Sequence, residues 1–479
     1  MFVLRERRHS RAAAPTPGAA PRRVREIGDP EARELVGSIR IEHRDALIYM
    51  LTEAAELEHA IMCQYLFAAF SLKTSTEEGV DERQLRAISK WKKAVLSVAT
   101  EEMLHLGLVN NLLAAVGAAP RVGRPNLPVA GRYFPPGVEF QLVPFGERAL
   151  RHFLFLERPE GINLSDAEGF EALREAEPLM GERDIVPRPQ HFATVGELYR
   201  SIEEGFETLV AHHGERWLFI GPERAQATPE SFWWDDLIPV TNLAAAKQAV
   251  VTIVEQGEGT RGHWRDAHYG RFLEVLGEYL TLRREDPSFE PARPVLAACV
   301  RQPVDAGPVP IVTDPLTARV LDAFNVSYEI LLYTLGRFFG HEHETDEQLQ
   351  TLADVSFGLM VKVLKPIAEL VTTMPVGPPN ETMTAGPSFE VFYRSGYLLP
   401  HTHAAWVLLH ERLLELYGFL MQTLPESGAP GALARVADSA LELAGKLAQK
   451  MEGLRERRVR VPPAWGLGAV ARDEVEHQR

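Results

Sequence analysis

The sequence predicts an all-α protein built around a bundle of long helices, and three observations carry that prediction. Apolar residues recur at helical spacing over two long segments near the N-terminus, about Asp45–Lys73 and Arg83–Val116. Shorter segments with the same period follow, separated by stretches rich in Pro and Gly. A further block of amphipathic runs lies beyond a Pro-rich linker.

The first helix keeps Leu51, Ala54, Glu58, Ile61, Tyr65 and Leu72 on one inward face. The second does the same with Trp91, Val95, Val98, Glu102, His105, Val109 and Leu112, and "GAAP" from Gly117 ends it. Residues 121–190 are rich in Pro and Gly and hold only short helical or strand pieces such as "VEFQLVPF", which predicts a long crossover with an irregular lid or insertion at about 118–193. Helical spacing returns in "TVGELYRSIEEGFETLV" through Val195, Tyr199, Ile202, Phe206 and Leu209. It continues in "TNLAAAKQAVVTIVEQGEG" and in "RDAHYGRFLEVLGEYL", where His268, Phe272, Val275 and Tyr279 share a face. The bundle therefore spans about 41–285, with a linker at 286–313 and a helical accessory region at 314–460. The accessory stripes, Phe324, Tyr328, Leu331, Leu335 and Phe338, then Trp406, Leu409 and Leu413, are apolar, so this region is expected to pack without chemistry of its own. Residues 1–40 include "RERRHSRAAAPTPGAAPRRVR", which lacks periodicity and predicts a disordered basic arm; 461–479 reads as a tail.

Composition narrows the function. The chain has 479 residues, 45% of them hydrophobic, enough for a full core. A formal net charge of -15 argues against nucleic acid as the main partner, because backbone binding needs clustered Lys and Arg. No apolar run is long enough to span a bilayer and no signal segment is recognisable, so neither a membrane role nor export is expected and the cytoplasm is the predicted location. Cys63 and Cys299 are far apart and outside any metal-type spacing, which predicts two buried thiols.

The chemistry concentrates in "VATEEMLHLGLVNNLL", Val98–Leu113. Residues three apart on a helix are neighbours, so Glu102 and His105 aim a carboxylate and an imidazole at one point from a stripe that is otherwise apolar. Burying such groups is costly unless they are paired or hold a metal. Glu58 lies in the inward stripe of the first helix, Glu255 falls inward with Val251 and Ala244, and His268 heads the apolar face of the helix after it. Four-helix bundles of the ferritin-like kind hold two metal ions with one Glu from each of two helices and a Glu-x-x-His from each of the others. Oxygen and imidazole donors without sulfur favour iron or manganese over structural zinc. Iron is the expected metal, as one or two ions.

The segments "LTEAAELEHAIMCQYLFAAFSLK", "EEMLHLGLVNNLLAAVGAAPRVGRPNLP", "TVGELY", "VEQGEG" and "HYGRF" together resemble the ferritin-like domain of the iminophenylpyruvate dimer synthase type, a domain related to the violacein pathway. "LDAFNVSYEILL" and "TAGPSFE" resemble the helical region that accompanies it. The resemblance implies Glu58, Glu102, His105, Glu255 and His268 as metal ligands. It also implies a departure: Arg265 occupies the position three before His268, so the second Glu-x-x-His is broken and Glu255 or Glu258 must reach in from the preceding helix. Glu197 is a sixth candidate, though Thr194 with Glu197 also reads as a capping box, and Glu203 is the alternative from that helix.

The expected function is a non-heme-iron oxidative enzyme that uses dioxygen on a small, amino-acid-derived molecule in bacterial specialised metabolism, with a homo-oligomer among the partners allowed for. The alternatives are a non-catalytic ferritin-like metal-binding or assembly protein and a heme-linked imine-coupling enzyme. Other His residues read otherwise: His341 and His343 in "GHEHETDE" as a solvated turn, His401 and His403 in "LPHTHAAW" as capping or packing. "EQGEG" lacks the strand, turn and helix context of a phosphate loop.

Overall fold

In the computed structural model, residues 41–130, 138–168, 170, 192–259, 264–302, 309–392 and 401–451 are described. The arm expected at 1–40 and the tail expected at 461–479 lie outside the described residues. Helix α1 (Arg44–Ser71) and helix α2 (Glu82–Ala115) match the two long segments anticipated from spacing. A reciprocal capping box between Asp81 and Gln84 starts α2. Gly117, at φ +81°, ends it, with Ala118 N–H returning to the Leu113 carbonyl. The Arg44 guanidinium donates to the Val116 carbonyl, tying the start of α1 to the end of α2, so the two helices run antiparallel along their packed length.

The other two sides of the bundle are each built from two shorter helices. Helix α3 (Glu147–Leu156) and helix α4 (Val195–His213) follow one another along α1. Phe145 N–H donates to Ser71, Tyr65 packs on Phe153, Tyr199 bonds Glu58, and Gly205 lies against Ile41. The short helices α5 (Glu215–Leu218) and α6 (Pro229–Phe232) come next. Helix α7 (Leu243–Gly257) and helix α8 (His268–Glu285) then descend along α2. Gln256 meets His105, His268 and Arg271 meet Glu101, and Glu278 meets Trp91 and Lys90. Both composite sides break at one level, that of Glu58 on α1 and Glu102 on α2. Close folding at the second break requires glycine: a Cβ on Gly270 would lie 2.3 Å from the Arg265 carbonyl oxygen.

Within the 118–193 segment, helix α3 is one of the short helical pieces, and it belongs to the bundle. Its amphipathic stripe, Ala149, Leu150, Phe153 and Leu156, is buried, and the helix packs on α8 as a bundle element. A two-residue pair, β1 (Val129–Ala130) with β2 (Glu139–Phe140), is the only sheet among the described residues.

The C-terminal block comprises α9 (Pro315–Phe339), α10 (Asp346–Gly358), a π-helical turn at Leu359–Leu364, α11 (Lys365–Val371), α12 (Thr402–Thr423) and α13 (Ala432–Met451). Its core is continuous with that of the bundle. Phe67 of α1 sits so close to Gly386 that a Cβ there would be 2.3 Å away, and Arg293 bonds Glu78, the Phe70 carbonyl and Thr372 at the same junction. The block is less purely apolar than its stripes predicted. Arg337 and Glu344 form a fully buried pair, Nη2 to Oε2 2.7 Å, that also takes in Trp406 and Thr402. His343 is exposed and His341 bonds the Phe338 carbonyl, as a turn would have them. No helix of the described residues is long and apolar enough to cross a membrane.

Candidate metal centre

Continuous helices present the first three residues. On α1, Glu58 is 2% exposed; on α2, Glu102 and His105 are as deeply buried. His105 Nδ1 lies 3.0 Å from Glu102 Oε2 and 3.6 Å from Glu58 Oε2. The breaks supply the other two. His268 is the first residue of α8, and Glu157 caps the last turn of α3. His268 Nδ1 lies 2.9 Å from Glu102 Oε1 and 3.6 Å from Glu157 Oε2. Two triads result, Glu58–Glu102–His105 and Glu102–Glu157–His268, within each of which the donor atoms all lie within 4.8 Å of one another. Glu102 belongs to both, one oxygen facing each imidazole.

Atoms that share a cation at about 2.1 Å stand roughly 3 to 4 Å apart, and the imidazole-to-carboxylate distances of both triads, 2.9 to 3.6 Å, lie close to that range. His268 Nδ1 gives a sharper test. It is buried, lies 2.9 Å from Glu102 Oε1 and 3.6 Å from Glu157 Oε2, and among the described residues has no well-aligned hydrogen-bond acceptor. A ring nitrogen set between two carboxylates and aligned with neither is placed to bind a cation once it gives up its proton. Charge agrees, because three carboxylates with two neutral imidazoles approach neutrality only with bound cations or protons.

In the metal-free protein, protons do that work. Burial and the adjacent Glu102 push the Glu58 carboxyl up to about 8. Burial alone would lower the His105 pKa, but Glu102 and Glu58 outweigh it and raise it to about 10. His268 is likewise held well above its ordinary value, against burial, by Glu102, Glu101 and Glu157. Burial would raise the Glu102 pKa, yet the two imidazoles keep it well below normal.

A second ring of groups holds these side chains. Tyr65 OH donates to Glu157 and Tyr199 OH to Glu58, the latter at 2.5 Å. His105 Nε2 bonds Gln256 Oε1 at 3.0 Å, and His268 Nε2 bonds Glu101 Oε2 at 3.0 Å. Fixing the far nitrogen sets which ring atom faces inward.

Of the residues expected from sequence, Glu58, Glu102, His105 and His268 come together, and Glu255 and Glu197 do not. Glu255 is exposed on α7 because the last turn of that helix points it outward. Glu197 caps α4: its N–H donates to Thr194 and its carboxylate accepts from Ala193 N–H at 2.7 Å. Glu203 pairs with Lys247. Glu258 is buried but spans the two breaks, accepting from Gly196 N–H at 2.7 Å, and burial raises its pKa to about 7. The carboxylate that sequence reasoning missed is Glu157. Its signal was present in "RALRHFLFLE", where Glu157 follows Phe153 by four and so extends that helix's buried stripe.

Residues 51–277 match the family model described as Ferritin-like, and all five residues of the centre fall inside that stretch. The chain is 27% identical over 436 residues to dichlorochromopyrrolate synthase from Lentzea aerocolonigenes, an alignment covering 78% of this chain and 41% of that protein. It is 27% identical over 376 residues to 2-imino-3-(indol-3-yl)propanoate dimerase from Chromobacterium violaceum, covering 73% of this chain and 34% of that protein. The chain thus spans about two fifths or less of the length of these curated relatives. A solved ferritin-like protein from Caulobacter vibrioides overlaps 66% of this chain and 95% of its own, at 18% identity and a TM-score of 0.42.

Proposed function

We propose that this ferritin-like domain is the metal-binding catalytic core of an oxidative enzyme that acts on a small, amino-acid-derived imine or a related molecule. The observation that carries the reading is the pair of buried triads sharing Glu102. The names of the two curated relatives, a chromopyrrolate synthase and an imine dimerase, supply the substrate class. Iron is the metal we assign, on the oxygen and imidazole donor set.

Glu58, Glu102 and His105 would hold one ion, and Glu102, Glu157 and His268 a second. When bound, reduced iron supplies one-electron chemistry toward dioxygen. The chain's own residues do the rest. Tyr199 and Tyr65 steady the two outer carboxylates by hydrogen bonding, leaving Glu102 as the carboxylate common to both positions. Burial of the whole ligand set keeps bulk water away from a reactive centre. Tyr65 OH and Tyr199 OH, whose own ionisation burial strongly disfavours, stay protonated as donors throughout.

The reading is tested by loading the protein with iron(II) without oxygen, generating aromatic 2-imino acids in place with an amino-acid oxidase, and admitting dioxygen. Oxygen uptake with a coupled or oxygenated product, absent in His105→Ala, supports it. Metal bound at the centre with no turnover of any such imine would favour a second reading, drawn from the partial coverage of the relatives: a metal-binding component that works only with a partner polypeptide.

A further inference from the structure

The two halves of the centre match in their inner donors and differ in what stands behind them. Each half has one imidazole Nδ1, one outer glutamate held by a tyrosine, and one oxygen of Glu102. Behind His268 stands a carboxylate: Glu101 Oε2 is 3.0 Å from Nε2, and Glu101 is gripped by both terminal nitrogens of Arg271, with Nη1 to Oε1 at 2.7 Å. Behind His105 stands a neutral amide: Gln256 Oε1 is 3.0 Å from Nε2, and the other end of that amide reaches Asp236 at 3.4 Å.

We infer that Glu101 is a positioning residue that makes the Glu102–Glu157–His268 position the tighter of two unequal metal positions, so that it fills first. This deepens the function proposed above and rests on it. An ionised carboxylate only accepts, so Glu101 keeps a proton of His268 on Nε2 and leaves Nδ1 as the nitrogen that faces inward and gives up its proton to a cation. A carboxylate acceptor also draws that proton more strongly than an amide does, which makes the inward nitrogen a better donor to a cation. The Arg271 fork holds Glu101 in place, so the orientation is set before any ion arrives. Gln256 orients His105 as well, but without the charge. The inward nitrogens face the shared carboxylate alike, His268 Nδ1 at 2.9 Å from Glu102 Oε1 and His105 Nδ1 at 3.0 Å from Glu102 Oε2, so the difference lies in the groups behind them.

The experiment is an anaerobic titration of the metal-free full-length chain with cobalt(II), following visible ligand-field absorption, with bound metal counted by equilibrium dialysis. The wild type should bind two ions in separable steps. Glu101→Gln should weaken the tighter step by about 10- to 100-fold and leave the weaker step within a factor of about three, while Glu101→Asp recovers part of the loss. Gln256→Glu should act oppositely, strengthening the weaker step and narrowing the gap. It decides the matter if Glu101→Gln fails to fold. Two ions bound by the wild type with equal affinity, or with affinities that neither substitution changes selectively, would overturn this inference alone. A wild type that binds no cobalt would overturn the proposed metal function as well.

Discussion

Loading the centre with metal at pH 7 should release close to three protons per chain. Metal ligation needs neutral imidazoles and ionised carboxylates. In the metal-free protein His105, pushed up to about 10, and His268, held well above 6.5, are both imidazolium at pH 7. Glu58, pushed up to about 8, is mostly protonated at that pH. Glu102 has none to lose, since the two imidazoles keep it ionised despite its burial. The product of the two binding constants should therefore climb almost a thousandfold per pH unit near neutrality. Calorimetric titration with manganese(II) in buffers of different ionisation enthalpy counts the protons directly. Release of about one proton or fewer would show that the imidazoles are neutral before metal arrives, and that the carboxylates do not dominate the electrostatics of the site.

Three further outcomes follow from the same geometry. The metal-free protein should lose stability as pH rises toward 10: folding raises the His105 pKa from 6.5 to about 10, so its contribution is complete below 6.5 and gone above about 10, and Glu58, raised from 4.5 to about 8, acts in the same sense. Urea midpoints from pH 6 to 10 measure this, and a rising midpoint would contradict it. Gly196→Ala should cost about 1 to 3 kcal/mol, because the new Cβ would sit 2.4 Å from Glu258 Oε2 and displace the carboxylate that joins the two breaks; an unchanged urea midpoint would show that this junction yields freely. A chain truncated before Thr313 should aggregate, since α1 shares its core with the C-terminal block through Phe67 and Gly386. Soluble, metal-competent truncated protein would show that the bundle stands alone.

The long helices were legible because a helix buried on one face must repeat its apolar residues at about 3.6, and α1 and α2 do so without interruption. The same rule exposed Glu58, Glu102 and His105, polar residues seated where an apolar one was due. It failed at the breaks. At the first break the stripe that reaches Glu157 is one short helix long and sits in a segment whose Pro and Gly content reads as a loop, and extending the α7 pattern to its last turn places Glu255 inward where the structure has it exposed. The departure at Arg265 was a true signal with the wrong remedy: the missing carboxylate comes from a distant segment that only tertiary packing brings near. The buried Arg337–Glu344 pair was hidden for a related reason, since a charged residue at a helix end and another in the following turn look solvated until α12 covers them.

The central claim is that five side chains on four helices form one two-ion centre organised on Glu102. Its most direct test is elemental analysis of the wild type and Glu102→Ala, each purified without chelator and then reconstituted anaerobically with iron(II) and desalted. The wild type should retain close to two irons per chain, and Glu102→Ala, which removes a donor from both positions at once, should retain well under one while keeping its helical circular dichroism. A wild type that retains no iron, or a Glu102→Ala protein that holds as much as the wild type, would contradict the account.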